Sequence, residues 1–302
     1  GNASSASEQD YRATYRQALE FVRQGQFSRS EELQQQLGDY SLAPYVEYHR
    51  LNNSIRQTSA SEIDSYRERH GDLPATKLLY SRWLKDQGKR RNWRTLFERR
   101  YDTTNAELAC YFVRAQYGVG EKARALDATT ALWSKPTSQP KACDPLFAVW
   151  RGTERFSQPV IWQRFSDAMD ANERVLARYL QRYLTGARRS TAKAFYELRS
   201  QPQRVTWRGA FATDTAENRE AISYGIRRLS TQNADSAAAA WAAFSDTHTF
   251  SHAQRELITA YVTVGLAQAN QFPKPEQREG IRADYAVQGL VSAAIAKQRW
   301  AE

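Results

Sequence analysis

Two cysteines, Cys110 and Cys143, and one spaced set, His248, His252 and Glu256, are the residues of this 302-residue chain whose types and spacing could do chemistry. A thiol becomes a nucleophile beside a base, or a zinc ligand beside further Cys or His at short spacing. The chain has no CxxC pair and neither cysteine has a histidine close in sequence, so ligands for a metal are too few. Three readings stay open for the cysteines: a disulfide, two reduced thiols in the core, or a reactive thiol whose base is supplied by the fold. A disulfide would imply an oxidising compartment.

His248, His252 and Glu256 recur at four-residue steps, which on one continuous helix would present a common ligand face. Ser251 followed three residues later by Gln254 reads instead as a capping box, which sets His248 before the helix and His252 in its first turn. The segment "GVGEKA" has glycines and a lysine but lacks the phosphate-loop spacing and a preceding strand, so it reads as a helix-helix turn. The tyrosines and tryptophans Tyr45, Tyr48, Trp83, Trp93, Trp133 and Trp150 could stack on sugar rings, yet their helical spacing makes most of them core. No catalytic, cofactor-binding or metal-ligating residue is assigned.

The elements that position these residues are helices. Tyr15, Ala18, Leu19 and Val22 line one helical face; Leu78, Leu79, Trp83 and Leu84 form a second, Leu108, Phe112 and Ala115 a third, and Ala123, Leu126, Thr130 and Trp133 a fourth. Short punctuators such as "GQF", "HGDLP" and "YGVGE" separate them, and alternating strand patterns of useful length are absent. Asp144 before Pro145 predicts a helix capped by Asp144, with Cys143 just ahead of the cap. Cys110 lies within "AELACYFVRAQYG", 33 positions earlier, with one complete helix between the two. Helices of this length joined by short loops predict an all-α chain, an irregular superhelix of stacked helix pairs running through residues 1–302 as one domain.

Composition narrows the partners. Lys and Arg number 43 against 33 Asp and Glu, a net charge of +10, and 34 of the cations are arginine. Guanidinium groups suit carboxylates and phosphates, so an acidic partner is one expectation. Acids are interleaved almost everywhere, and only "KDQGKRRNWR" concentrates cations with an aromatic, so no nucleic-acid module is read. No apolar run approaches the roughly 20 residues a membrane span requires. The opening "GNASSASEQD" has neither the charge nor the apolar stretch of a signal peptide, so the chain reads as cytosolic or already processed.

Three stretches resemble the N-terminal helical superhelix of soluble lytic murein transglycosylases: "LGDYSLAPYVEYHRL", "LPATKLLYSRWLKDQGKRRNWRTLF" and "QPKACDPLFAVWR". The first carries Asp39, Tyr40, Leu42, Pro44, Tyr45, Glu47 and Tyr48 in the family pattern; the last carries Cys143, Asp144, Leu146, Phe147, Val149 and Trp150. The resemblance implies a periplasmic location, a U- or ring-shaped form and a scaffold role for the superhelix of residues 1–302, and a disulfide between Cys110 and Cys143. It also implies a ring of superhelix and linker bearing a lysozyme-like domain, which cleaves the β-1,4 bond between N-acetylmuramic acid and N-acetylglucosamine to leave a 1,6-anhydro product. Expected partners are glycan strands of peptidoglycan, other cell-wall enzymes and the linker and catalytic domains. The family's catalytic glutamate stands in a Glu-Ser dipeptide, and this chain contains none. The expectation is therefore a superhelix fragment without the catalytic part, the alternative being an independent helical adaptor for an acidic or peptide partner. Glu47 is expected to hold a helix in place. Tyr285, Val287, Leu290, Val291, Ala294, Ile295 and Trp300 are expected to line an unfilled terminal helix face, which favours self-association.

Overall fold

In a computed structural model, which describes residues 2–207, 209–269 and 290–291, every regular element is helical. Packing divides the chain into two compact units: residues up to Leu132 with Gln139–Trp150, and Trp133–Ser138 with residues from Arg151 onward.

The first unit opens with α1 (Asn2–Arg23), α2 (Phe27–Leu37) and α3 (Ala43–Asn53). Ala18 and Val22 of α1 meet Leu37, Ala43 and Val46 in a small core. Gly25, at φ 72°, turns α1 into α2, a conformation glycine adopts without steric cost. Next come α4 (Ala60–His70), α5 (Pro74–Lys89) and α6 (Trp93–Glu98). A capping box of Ser59 and Glu62 starts α4, and Pro74 supplies the first residue of α5, where its missing N–H is harmless. The unit closes with α7 (Ala106–Gly118), α8 (Lys122–Trp133) and α9 (Asp144–Arg151), α8 giving its last residue, Trp133, to the second unit. Ile63, Tyr66, Leu79, Trp83, Leu96 and Phe112 build the larger core. Trp83 is buried with its indole N–H satisfied by Thr58 O at 2.8 Å, so the ring is core and not a sugar platform.

The second unit contains α10 (Gln158–Asp170), α11 (Arg174–Leu180), α12 (Gly186–Glu197), α13 (Ala216–Ser230), α14 (Ala234–Thr247) and α15 (His252–Gln268). Phe165 and Phe195 sit edge to face at 5.4 Å, and Phe195 stacks on Tyr224 at 5.1 Å, which fixes α10, α12 and α13 about one aromatic centre. Arg164 is buried here without a carboxylate. It donates to Lys135 O and Thr137 O at 3.0 and 3.2 Å and lies 4.5 Å from the Trp133 ring centroid. Burial pushes its pKa down to about 10.

Three local expectations are corrected. Cys143 ends a 3-10 turn, Lys141–Cys143, that runs straight into α9, so Asp144 is the first helical residue and not an isolated cap. On α8 the buried face is Ala125 and Thr129, whereas Ala123 is exposed; Thr129 is tolerated inside because its hydroxyl donates to Ala125 O at 2.7 Å. Leu78, expected on the core face of α5, is 62% exposed. Of the terminal face, Leu290 packs against Ala260 and Val264 and Val291 is exposed; Tyr285, Val287, Ala294, Ile295 and Trp300 lie outside the described residues.

Candidate functional site

The cysteines are joined. Cys110, buried in the middle of α7, and Cys143, at the end of the 3-10 turn, form a disulfide with sulfurs 2.00 Å and Cα atoms 5.1 Å apart. No thiol is left to attack a substrate or bind a metal. Arg114, one helical turn beyond Cys110, donates to Ala142 O at 3.1 Å and reinforces the same junction.

The histidines are not brought together. His248 is buried, with Nε2 2.9 Å from Phe211 O and Nδ1 2.9 Å from Thr247 Oγ1. His252 is exposed on the first turn of α15, paired with Glu256 at 3.3 Å. The capping box at Ser251 separates them, since the chain is extended there before the helix begins. Glu47 accepts both Arg69 terminal nitrogens, at 2.7 and 2.8 Å, and so ties α3 to α4 as a structural carboxylate.

Among the aromatics named from the sequence, Trp83, Trp133 and Trp150 are buried, and Trp93, Tyr45 and Tyr48 are half-buried. The aromatic that stands out is Trp207, 54% exposed at the end of the 3-10 segment Pro202–Thr206. Its Arg204 neighbour lies 4.5 Å from the ring centroid and is paired with Glu197. Sequence reasoning missed Trp207 because only helical stripes were followed; a tryptophan outside any stripe, two residues before Gly209, was the available signal.

Trp207 flanks a groove of about 660 Å³ in the second unit, floored by Ala239, Ala240 and Ala243 of α14 with Phe211 and Phe244. The loop at residues 209–213 also walls a second cleft, of about 720 Å³, at the start of α12. Five hydroxyl side chains and one amide line that cleft: Thr185, Ser190, Thr191, Thr213, Thr215 and Asn218. Asn218 is held by donating to Thr213 O at 2.8 Å and accepting from Thr191 Oγ1 at 3.1 Å, and Arg188 pairs with Glu217 at 2.7 Å. Gly186, at φ 55°, supplies the left-handed residue from which α12 starts. Trp207 lines the first groove, whereas the hydroxyls, Asn218 and the Arg188–Glu217 pair line the second, and neither shows an activated nucleophile among the described residues.

One carboxyl has the character of an acid catalyst in isolation. Burial raises the pKa of Glu220, which accepts from the Trp162 indole at 3.0 Å and from Ser166. It sits in the packing of α10 against α13, away from both clefts, and is followed by Ala221, not serine. We read it as a helix anchor. Among the described residues no group of three or more His, Cys, Asp or Glu could hold a metal, and no helix is long and apolar enough to cross a membrane.

An all-α array of packed helices with a disulfide-linked hairpin and polar surface clefts defines the architecture of the described residues. Comparison with known proteins places it further. No family model matches the chain. The soluble lytic murein transglycosylase of Escherichia coli (strain K12) is 28% identical over 238 residues, and that of Salmonella typhimurium 27%. These matches cover 77% of this chain but only 36% and 37% of the relatives, so the chain spans about a third of their length. An inactive mutant of the lytic transglycosylase Slt from Pseudomonas aeruginosa superposes with a TM-score of 0.80 at 26% identity, over 95% of this chain and 48% of that one. The 70 kDa soluble lytic transglycosylase of Escherichia coli shares the fold, with a TM-score of 0.70 at 22% identity, over 95% of this chain and 45% of that one. The resemblance read from the sequence holds: over most of its length this chain is similar in sequence to soluble lytic murein transglycosylases, and its all-α superhelical fold matches theirs.

Proposed function

We propose that the chain is the scaffold part of a peptidoglycan-cleaving lytic transglycosylase, one scaffold domain made of both units, working in the periplasm. It holds glycan strands while the cleavage that yields 1,6-anhydro products takes place on residues outside it, in a linked or associated catalytic domain. The observation that carries this reading is the homology over 77% of the chain combined with the absence of any Glu-Ser dipeptide. The disulfide supports an oxidising compartment, as in the periplasm. Sugar hydroxyls would bond in the cleft at the start of α12, and a ring would stack on Trp207, as aromatic edges commonly do for apolar faces. Other cell-wall enzymes are the natural partners of such a scaffold.

The test is co-sedimentation of the chain with purified sacculi. Pelleting above the level of a control protein of equal charge, reduced at least fivefold by Trp207→Ala, supports the reading. A chain that stays in the supernatant, or pelleting abolished merely by 0.3 M salt and indifferent to Trp207→Ala, contradicts it in favour of an adaptor for an acidic partner.

A further inference from the structure

In the first unit, α6, α7 and α9 line a pocket of about 160 Å³, open on one side, between Trp93, Tyr117, Leu146 and Val149. That is close to the volume of an apolar cavity that takes up one benzene-sized group. A single charged side chain, Arg114, lines it. Its guanidinium lies 5.1 Å from the Trp93 ring centroid and 5.5 Å from that of Tyr111, with Nη1 committed to Ala142 O. Its Nε and Nη2 form no hydrogen bond or ion pair among the described residues.

The surrounding charge is one-sided. Arg91, exposed at φ 61°, acts on Arg114 as a like charge, and Lys122 sits 5.5 Å from the Tyr117 ring centroid. Burial first, and Arg91 after it, hold the Arg114 pKa below the ordinary arginine value. Three acids of the neighbouring elements are engaged elsewhere, Asp86 with Arg90 at 2.8 Å, Glu107 with Lys85 at 3.0 Å and Glu121 with Gln116 at 2.9 Å, and Glu98, at the end of α6, is exposed and does not act on Arg114. Asp144, exposed at the head of α9, is not among the groups acting on Arg114. A half-buried guanidinium without a carboxylate has lost hydration with no ion pair to compensate, and it stands at the edge of a cavity for one small apolar group.

We infer that this cavity binds the terminal carboxylate of a short peptide, the carboxylate paired with Arg114 and an aliphatic last side chain, no larger than leucine, seated among Trp93, Tyr117, Leu146 and Val149. A carboxylate meets the planar guanidinium fork in two parallel hydrogen bonds, a geometry that a neutral amide cannot reproduce. The site lies in the other unit from the glycan cleft and uses none of its residues, so it stands or falls separately from the proposed function.

The test is titration of the ¹⁵N-labelled chain with N-acetyl-leucine and, in parallel, with N-acetyl-leucinamide, following backbone amide shifts. Saturable shifts at Gly118, Val119 and Leu146 with a millimolar Kd for the acid, and at least tenfold weaker binding of the amide, are expected. Arg114→Gln should weaken the acid at least tenfold. Because Arg114 also anchors Ala142, Val149→Glu serves as the second variant: it places a carboxylate at an exposed position of the wall, should leave the rest of the spectrum unchanged, and should likewise weaken the acid tenfold. Equal binding of acid and amide, no saturable shift with either, or undiminished binding by Val149→Glu would overturn the inference.

Discussion

The indole of Trp93 lies so close to Gly118 that a methyl group built on that glycine would stand 2.2 Å from its Cδ1 atom. A rigid ring leaves no flexible chain end to move aside, so α6 and α7 are spaced by the absence of a side chain. Gly118→Ala is expected to destabilise the chain by roughly 1–3 kcal/mol, the usual cost of overpacking. Urea denaturation should show a lower midpoint with an unchanged slope. A neutral or stabilising result would show that Trp93 is free to swing outward.

The disulfide closes a loop of sequence separation 33. In the chain-entropy model such a closure stabilises by about 4 kcal/mol. Cys110→Ala with Cys143→Ala, or reduction of the native chain, should lower the thermal midpoint by several degrees. An unchanged midpoint after verified reduction would place the stability of this hairpin in its packing alone.

Arg99 binds Asp64 through both carboxylate oxygens, at 2.6 and 2.7 Å across 35 residues, and ties α4 to the end of α6. Hydrogen bonds from Arg99 are the largest cause holding the Asp64 pKa below 3.8. A carboxylate with a depressed folded-state pKa contributes stability that is complete above its unfolded value and is lost as pH falls through the lower folded value. Asp64→Asn should therefore cost stability at pH 7, about 1 kcal/mol for a partly exposed bidentate pair. The difference from the native chain should shrink below pH 4. A cost that is the same at pH 3 and pH 7 would point to lost packing, not lost charge.

Glu220 has the opposite sign. Its carboxyl is raised above 4.5 by burial, so the folded chain holds the proton more tightly than the unfolded one, and stability falls as pH rises through the interval between the two values. Glu220→Gln keeps an acceptor for the Trp162 indole while removing the charge. It should be neutral or stabilising at pH 7 and should flatten the decline of stability as pH rises above 4.5. A strongly destabilised variant would mean that the ionised carboxylate is itself required.

The helical architecture was legible because amphipathic stripes and the Ser251 capping box are local signals, and the capping box separated His248 from His252 as read. The face of α8 was not, because Thr129 is polar by type and becomes core only when its hydroxyl bonds back to Ala125 O. Two compact units were not visible either, since Trp133 ends one helix of the first and belongs by packing to the second. Trp207 and the hydroxyl-rich cleft escaped for a different reason. Trp207 and the loop after it meet α14 in one groove, and the same loop meets α12 and α13 in the other, and no spacing along the chain records either juxtaposition. The cysteines were ambiguous by spacing alone; the family resemblance singled out the bonded pair.

The proposed role requires this chain to hold peptidoglycan without cutting it. Incubation with purified sacculi, followed by mass spectrometry of the soluble fraction, tests it most directly. The account predicts protein bound to the pellet and no 1,6-anhydro muropeptides above the level released by buffer. Release of those products by the chain alone, lost on changing Glu220 or Glu47 to glutamine, would contradict it.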